Sequence, residues 1–235
     1  MNDKITAIVL AAGMGKRMNT GIAKQFMELK NKPVLYYSLK AFEESSVDDI
    51  ILVTGKGQQE YCEDHIIGKY NIKKVSQVIE GGAERYDSVY NGLKKAEGST
   101  YVLIHDGARP FLSASMIEAC IEAVKKHKAC ILGTPVKETI KYTDKEGYII
   151  DTPERKTLWS AQTPQGFDFK LIQEAYEMLY KDHINARLVI TDDAMVYEKY
   201  IGKPVKVIMG DYNNIKLTTK EDYFSAQSIA NELWK

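Results

Sequence analysis

Two glycines and two cations follow a short apolar run near the start of the chain, in Ile8-Val9-Leu10-Ala11-Ala12-Gly13-Met14-Gly15-Lys16-Arg17-Met18. Glycine lets backbone N–H groups approach an anion closely, and lysine and arginine supply the countercharge. A further lysine, Lys24, follows in Ala23-Lys24-Gln25-Phe26. The chemistry this pattern suits is the holding of a triphosphate. Two better-known phosphate loops do not fit. A dinucleotide fingerprint needs a third glycine where Met18 stands, and a P-loop needs Ser or Thr after its lysine, where Arg17 follows Lys16. The competing reading is a tight turn with solvated cations.

Further polar clusters recur along the chain. In Gly81-Gly82-Ala83-Glu84-Arg85-Tyr86-Asp87-Ser88-Val89, two glycines bring backbone close to a ligand and Ser88 can make one directed bond. Backbone N–H and C=O groups together can read a base edge. The plainer reading is a strand-to-helix turn with acids in its first helical turn. In His105-Asp106-Gly107-Ala108-Arg109-Pro110, the hard oxygens of Asp106 suit Mg²⁺ or sugar hydroxyls, and Arg109 suits a phosphate. The alternative is a structural Asp–Arg pair, with His105 as packing or tautomer-fixed support. Thr139, Arg155, Gln162-Thr163-Pro164-Gln165, Thr191-Asp192-Asp193-Ala194 and Asn213-Asn214-Ile215-Lys216 are each weak alone. Asp192 and Asp193 read as helix caps, and Lys216 as an edge cation.

The elements that must position these residues alternate in type. Strands are expected at Ile5–Leu10, Asp49–Thr54, Val75–Glu80, Tyr101–His105, Ala129–Val136 and Pro204–Met209. Pro33 opens a helix carrying Leu35, Leu39 and Phe42 on one face. Ser115-x-x-Glu118 reads as a capping box before Ile121 and Val124, and Thr218-x-x-Glu221 opens the last helix toward Trp234. Such alternation predicts an α/β fold, a mostly parallel sheet with helices on both faces and ligands at the carboxyl ends of its strands. The stretch 137–159 departs from it. It reads as a β-hairpin turning at Asp144-Lys145-Glu146-Gly147. A two-stranded hairpin is marginal alone, so this protruding arm is expected to pack on a second copy of the chain. One domain over residues 1–235, with the arm as its appendage, is the expected organisation.

Composition narrows the classes. The chain has 32 basic and 32 acidic residues among 235, which gives no bulk electrostatic reason to bind nucleic acid or a membrane. Cys62, Cys120 and Cys130 have neither metal-ligand spacing nor an even count, which favours a reducing cytoplasm. His65, His105, His127 and His183 show no paired spacing, so a zinc site is not expected. The first apolar run is too short for a signal peptide, and nothing approaches a membrane span.

Taken together, the clusters resemble the 2-C-methyl-D-erythritol 4-phosphate cytidylyltransferases of the non-mevalonate isoprenoid pathway over essentially the whole chain. The matching stretches are Ala11-Ala12-Gly13-x-Gly15-x-Arg17-Met18, Lys24-Gln25, Gly81-Gly82-x-Glu84-Arg85-x-x-Ser88-Val89, His105-Asp106-Gly107-Ala108-Arg109-Pro110, Leu158-Trp159-x-x-Gln162-Thr163-Pro164-Gln165, Thr191-Asp192-Asp193-Ala194 and Asn214-Ile215-Lys216. Ala23 departs from the pattern, since the family usually has proline before the lysine; without that ring φ is not pre-set, and a more mobile Lys24 loop is expected.

The resemblance implies a Rossmann-like nucleotidyltransferase fold, a cytoplasmic homodimer clasped by its arms, and CTP and Mg²⁺ as nucleotide and metal. It implies CTP contacts at Ala11, Ala12, Gly13, Gly15, Gly81, Gly82, Arg85, Ser88, Asp106 and Gly107. Arg17 and Lys24 match the family's transition-state cations, and Arg155 and Lys216 would hold the attacking phosphate. Acceptor contacts fall on Asp106, Arg109, Thr139, Arg155, Thr163, Thr191 and Lys216, with Thr139 and Arg155 coming from the partner's arm. Asp106 would meet Mg²⁺ directly, or through water. The expected reaction joins CTP to 2-C-methyl-D-erythritol 4-phosphate by in-line attack on the α-phosphate. Two other readings remain: a ribitol-5-phosphate cytidylyltransferase, disfavoured by Ala11-Ala12-Gly13 and Ser88, and a non-catalytic CTP-binding module, disfavoured by Arg17, Lys24, Asp106 and Lys216.

Overall fold

The computed structural model describes residues 3–13, 23–182 and 189–234. Gly15 and Arg17, and His183, lie outside the described residues. In chain order, β1 (Ile5–Ala11) leads to the short pair β2 (Glu28–Leu29) and β3 (Lys32–Pro33), then α1 (Val34–Glu43), β4 (Asp49–Thr54), α2 (Gln59–Cys62), β5 (Val75–Glu80), α3 (Arg85–Lys95), β6 (Tyr101–Asp106), α4 (Ala114–His127) and β7 (Ala129–Pro135). The arm strands β8 (Tyr142–Thr143) and β9 (Ile149–Asp151) follow, then β10 (Trp159–Asp168), α5 (Phe169–Asp182), α6 (Asp193–Ile201), β11 (Lys206–Met209) and α7 (Lys220–Leu233).

Seven strands form one sheet in the order β11-β7-β10-β6-β1-β4-β5. All six strand expectations hold to within two residues. β1 is buried along its whole length, as a continuous apolar run flanked by parallel strands must be when helices cover both faces. Its side chains divide by alternation. Ala7, Val9 and Ala11 join α1 and α4 residues in one core, and Ile8 and Leu10 join α3, α5 and α6 residues in the other. From β1 the chain steps outward through β4 to β5, then returns to place β6 on the opposite side of β1. That reversal opens a crevice beyond the ends of β1 and β6, where ligands of such sheets bind.

Several local expectations need correction. The helix α4 starts from Ser113, whose hydroxyl accepts the Met116 N–H at 3.3 Å, and not from Ser115. The Glu118 carboxylate that seemed to complete a capping box instead accepts the Ser46 N–H at 2.7 Å. The last helix is capped one residue later than expected: Thr219 accepts from Asp222 N–H, and Asp222 accepts from Thr219 N–H at 2.8 Å. The largest difference is β10, a ten-residue strand antiparallel to both β6 and β7. No strand signal marks this stretch, because Gln162, Pro164, Gln165 and Gly166 carry no apolar alternation. Burial comes from the neighbouring strands, and pairing with β7 shifts register between Ala161 and Gln165. Such an irregularity turns side chains out of the ladder toward a site.

The arm has the expected turn. Asp144 Oδ1 accepts the N–H groups of Glu146 and Tyr148, both at 2.9 Å, and Gly147 takes φ +91°, which a side chain would oppose. Ile140, Tyr142, Tyr148, Ile149 and Ile150 are all exposed on it. Among the described residues no helix is long and apolar enough to cross a membrane.

Candidate active site

Two clefts at the carboxyl edge of the sheet meet at Asp106. The first, of about 290 Å³, is walled by Ala11, Ala12, Gly13, Lys24, Gly82, Ala83, Glu84 and Ser88 among others. The second, of about 220 Å³, is walled by Arg109, Ala161, Gln162, Thr163, Gln165, Thr191 and Asp192. Arg85, Asp106 and Lys216 line both.

The first cleft is mostly a backbone construction. Buried Gln25 donates from Nε2 to the Ala11 carbonyl at 2.6 Å and pins the exit of β1. Ser88 Oγ accepts the Gly82 N–H at 3.1 Å and so braces the glycine turn from the first turn of α3. A Cβ on Gly81 would lie 2.5 Å from the Ala12 methyl, and one on Gly82 would lie 2.1 Å from the Asp87 Cβ. Both positions are therefore closed to any side chain unless the loop moves. Gly107 serves packing: its N–H donates to the Leu10 carbonyl at 2.8 Å, and a Cβ would meet Leu35 at 2.9 Å.

Asp106, at the end of β6, is the hub. Lys216 Nζ lies 2.8 Å from Oδ2, Arg85 Nε lies 3.3 Å from Oδ1, and Arg109 Nε stands 3.7 Å from Oδ2. Burial alone would favour the neutral acid, but Arg85, Lys216 and Arg109 outweigh it and hold the carboxyl well below the usual carboxylate range. Asp106 is thus an anion throughout the physiological range, and the cluster around it carries excess positive charge. Arg109 is anchored by donating from Nη1 to the Asn214 carbonyl at 2.7 Å. Its loop is held from behind by Ser38, whose hydroxyl donates to the Arg109 carbonyl at 3.1 Å.

β10 supplies the back wall. Thr163 Oγ1 accepts the Asp106 N–H at 3.1 Å and lies 3.0 Å from His105 Nδ1. His105 is fully buried edge-on to Phe42, and burial pushes its pKa down to about 3, so it is a neutral support as expected and not a base. Asp192 caps α6, accepting from Met195 N–H at 3.0 Å. Asp193 does more than cap. It is fully buried and takes the Arg85 guanidinium bidentately, 2.8 Å at each oxygen, with the Tyr176 hydroxyl 2.6 Å from Oδ1. Nothing in the sequence marked Tyr176, which reads as one more core aromatic on α5, and Gln162 and Gln165 were motif letters without a role. Gln162 Nε2 donates to the Asp211 carbonyl at 2.8 Å and helps fix the loop that carries Lys216.

The structure therefore brings together Ala11, Ala12, Gly13, Lys24, Gly82, Arg85, Ser88, Asp106, Arg109, Thr163, Thr191 and Lys216, with Gly81 and Gly107 behind them. It does not bring Thr139 or Arg155 to either cleft. Both are exposed on the arm, where Arg155 Nη1 donates to the Lys137 carbonyl at 3.1 Å.

Fold and paired clefts define the class, a Rossmann-like α/β nucleotidyltransferase. The family model for 2-C-methyl-D-erythritol 4-phosphate cytidylyltransferase (IspD) matches residues 5–232. A protein of that name from Lachnoclostridium phytofermentans is 48% identical over 230 residues, covering 98% of this chain and 97% of its own. One from Lachnospira eligens is 52% identical over 218 residues, covering 92% and 95%. The crystal structure of a 4-diphosphocytidyl-2C-methyl-D-erythritol synthase from Anaerococcus prevotii superposes with a TM-score of 0.85 at 35% identity, over 97% of this chain and 96% of that one. The chain belongs to the 2-C-methyl-D-erythritol 4-phosphate cytidylyltransferase family.

Proposed function

We propose that this chain joins CTP and 2-C-methyl-D-erythritol 4-phosphate to give 4-diphosphocytidyl-2-C-methyl-D-erythritol and pyrophosphate, with the bond made where its two clefts meet. The observation that carries the reading is the sharing of Arg85, Asp106 and Lys216 between a glycine-walled cleft and a cleft walled by threonine, glutamine and arginine side chains. A phosphate oxygen of the acceptor forms a new bond to the α-phosphorus of CTP, and the bond from that phosphorus to the bridging oxygen breaks. The electron pair leaves with pyrophosphate.

The acceptor phosphate is largely dianionic near neutral pH, with its second pKa about 6, so no general base is needed. Neutral, buried His105 is not required to supply one. The difficulty is bringing an anion to a polyanion, and the chain answers it with positioned cations. Lys24 holds the triphosphate from the first cleft, and Arg17, outside the described residues, is the second cation assigned to it. Lys216 and Arg109 hold the acceptor from the second, with Thr163 and Thr191 along its polyol chain. Ala11–Gly13, Gly81 and Gly82 offer backbone groups to cytosine and ribose.

Among the described residues no cluster of three or more acids, histidines and cysteines could cage a metal. Mg²⁺ at nucleotide sites takes one or two carboxylates and completes its shell with phosphate oxygens and water, and ionised Asp106 suits that arrangement. Bound there, Mg²⁺ would neutralise phosphate charge. The chain acts as a homodimer in this proposal. The exposed apolar residues of the arm pack on a partner, and the partner's arm brings Thr139 and Arg155 to the acceptor. Three free thiols suit a reducing, cytoplasmic setting.

The test is pyrophosphate release from CTP and Mg²⁺ with methylerythritol phosphate and ribitol phosphate offered separately. Strong preference for methylerythritol phosphate is expected. Preference for ribitol phosphate would move the acceptor assignment to the sister reaction, and release with neither would refute the proposal.

A further inference from the structure

We infer that Asp193 and Tyr176 are positioning residues for the transfer step, acting through Arg85 to fix Asp106 at the junction of the two clefts. The inference rests on the proposed function and deepens it. Neither side chain lines either cleft. Both are fully buried, and Tyr176 lies in the core that α5 builds against the sheet.

A buried carboxylate is costly unless its lone pairs are met. Those of Asp193 are met three times. Arg85 Nη1 and Nη2 donate to its two oxygens at 2.8 Å each, and the Tyr176 hydroxyl donates to Oδ1 at 2.6 Å. Its backbone is held as well, because Gln165 Oε1 accepts the N–H groups of Asp193 and Ala194 at 3.1 and 3.0 Å. The carboxylate is thus fixed from α5, from β10 and from the helix it opens. A bidentate pair leaves a planar guanidinium little rotational freedom. The direction of Arg85 Nε, 3.3 Å from Asp106 Oδ1, is consequently set from the core.

The consequence reaches the acceptor side of the junction. Asp106 meets Arg85 through Oδ1, while Lys216 and Arg109 both lie on the side of Oδ2. Without the hold on Oδ1, the carboxylate turns wholly toward Lys216 and Arg109 and neutralises the cations meant for the acceptor phosphate. With it, one oxygen is anchored and Lys216 remains a shared cation. Were the Asp193–Arg85 pair only a stability device, apolar residues of equal volume would serve as well. What they could not do is aim a charged group into the junction.

The experiment is steady-state kinetics with CTP and methylerythritol phosphate on the full chain and on Tyr176→Phe, Asp193→Asn, Asp193→Glu and the Tyr176→Phe/Asp193→Asn double variant. Thermal unfolding and calorimetric CTP binding accompany it. Asp193→Asn is expected to lower kcat by about 10²-fold, and Tyr176→Phe by about 3- to 10-fold, while CTP affinity stays within about twofold. The double variant should be no worse than Asp193→Asn, because Tyr176 acts only through Asp193. Asp193→Glu, which keeps the carboxylate, should recover most of the loss. Folded Asp193→Asn with wild-type kcat would overturn the inference, as would losses in Tyr176→Phe and Asp193→Asn that multiply. If Asp193→Asn does not fold, Tyr176→Phe, which deletes one hydroxyl, decides by the same criterion: unchanged kcat refutes the role. A wild-type chain that releases no pyrophosphate would mark failure of the functional reading itself, a different result from active wild type with indifferent variants.

Discussion

The two clefts that meet at Asp106 are made of different material. The proposed nucleotide cleft is walled in good part by backbone, at Ala11–Gly13 and Gly82, and an added methyl has no room at Gly82 or at Gly81 behind it. The proposed acceptor cleft is walled by side chains, among them Arg109, Gln162, Thr163, Gln165 and Thr191. A wall of peptide groups fixes one partner tightly and tolerates no revision. A wall of side chains can be rewritten one residue at a time. In the proposed reaction the nucleotide is therefore the fixed half and the acceptor the adjustable half.

The sharpest way to break that contrast is Gly82→Ala. Its Cβ would stand 2.1 Å from the Asp87 Cβ and 3.2 Å from Asp87 backbone, so the turn or the start of α3 must move. Displacement of reacting groups by about 1 Å costs on the order of 10²-fold, and a loss of that size in kcat/KM for CTP is expected. The acceptor KM should change little. Steady-state titration of each substrate checks this, and wild-type CTP kinetics would show that the first cleft is not backbone-defined.

Below the clefts, the partition stands on the end of β6, and its integrity has a pH signature through His105. Burial holds the His105 pKa at about 3, against about 6.5 unfolded. The unfolded chain therefore binds the extra proton between those values, so stability is full above about pH 6.5 and falls as pH drops toward 3. At pH 5 the loss from this one group is about 2 kcal/mol. Asp106 contributes in the same direction only at lower pH, because its carboxyl stays ionised far below the usual range. Denaturant unfolding of the metal-free chain at pH 7.5 and pH 5 measures the difference, and His105→Gln should flatten it. An equal slope in that variant would assign the acid lability elsewhere.

Much of this was legible in the sequence, for unequal reasons. Buried parallel strands announce themselves by composition, so β1, β4 and β6 could be placed to within a residue or two. Strand ends in such a sheet carry the ligand, so Ala11–Gly13, Gly81–Gly82 and Asp106 could be placed as well. β10 could not, because its middle is polar and its burial is imposed by β6 and β7. The partnership of Asp193 with Arg85 spans 108 residues, and a carboxylate at the start of a helix reads as a cap whether or not it also binds a guanidinium. The capping boxes were displaced for a similar reason, since Ser113 and Ser115 are interchangeable in pattern and only tertiary contact between Glu118 and Ser46 separates them.

A milder test of the contrast lies on the acceptor side. Thr191 lines the second cleft and not the first. Thr191→Val keeps its shape and removes one hydroxyl, and a neutral hydrogen bond is worth about 0.5–1.5 kcal/mol. The acceptor KM should rise about 2- to 10-fold with the CTP KM unchanged. A matched rise in both would mean that the clefts are not separable by side chain.

The smallest effect concerns Ala23, the position where the family usually carries proline. The residue already sits at φ −61° and ψ 133°, just ahead of the single helical turn Lys24–Phe26. Proline fixes φ near −65° and tolerates that ψ. Ala23→Pro should therefore leave the folded loop as it is and act on the unfolded chain, which loses freedom it would otherwise regain. Substitutions of this kind stabilise by about 0.4–1 kcal/mol, a rise in Tm of about 1–4 °C for a chain of this size. Because Lys24 faces the nucleotide cleft, CTP affinity should improve slightly or not at all, and the acceptor KM should not move. A lower Tm would show that Ala23 N–H is needed as a donor. The bend that brings Lys24 to the first cleft would then be set by the alanine backbone itself.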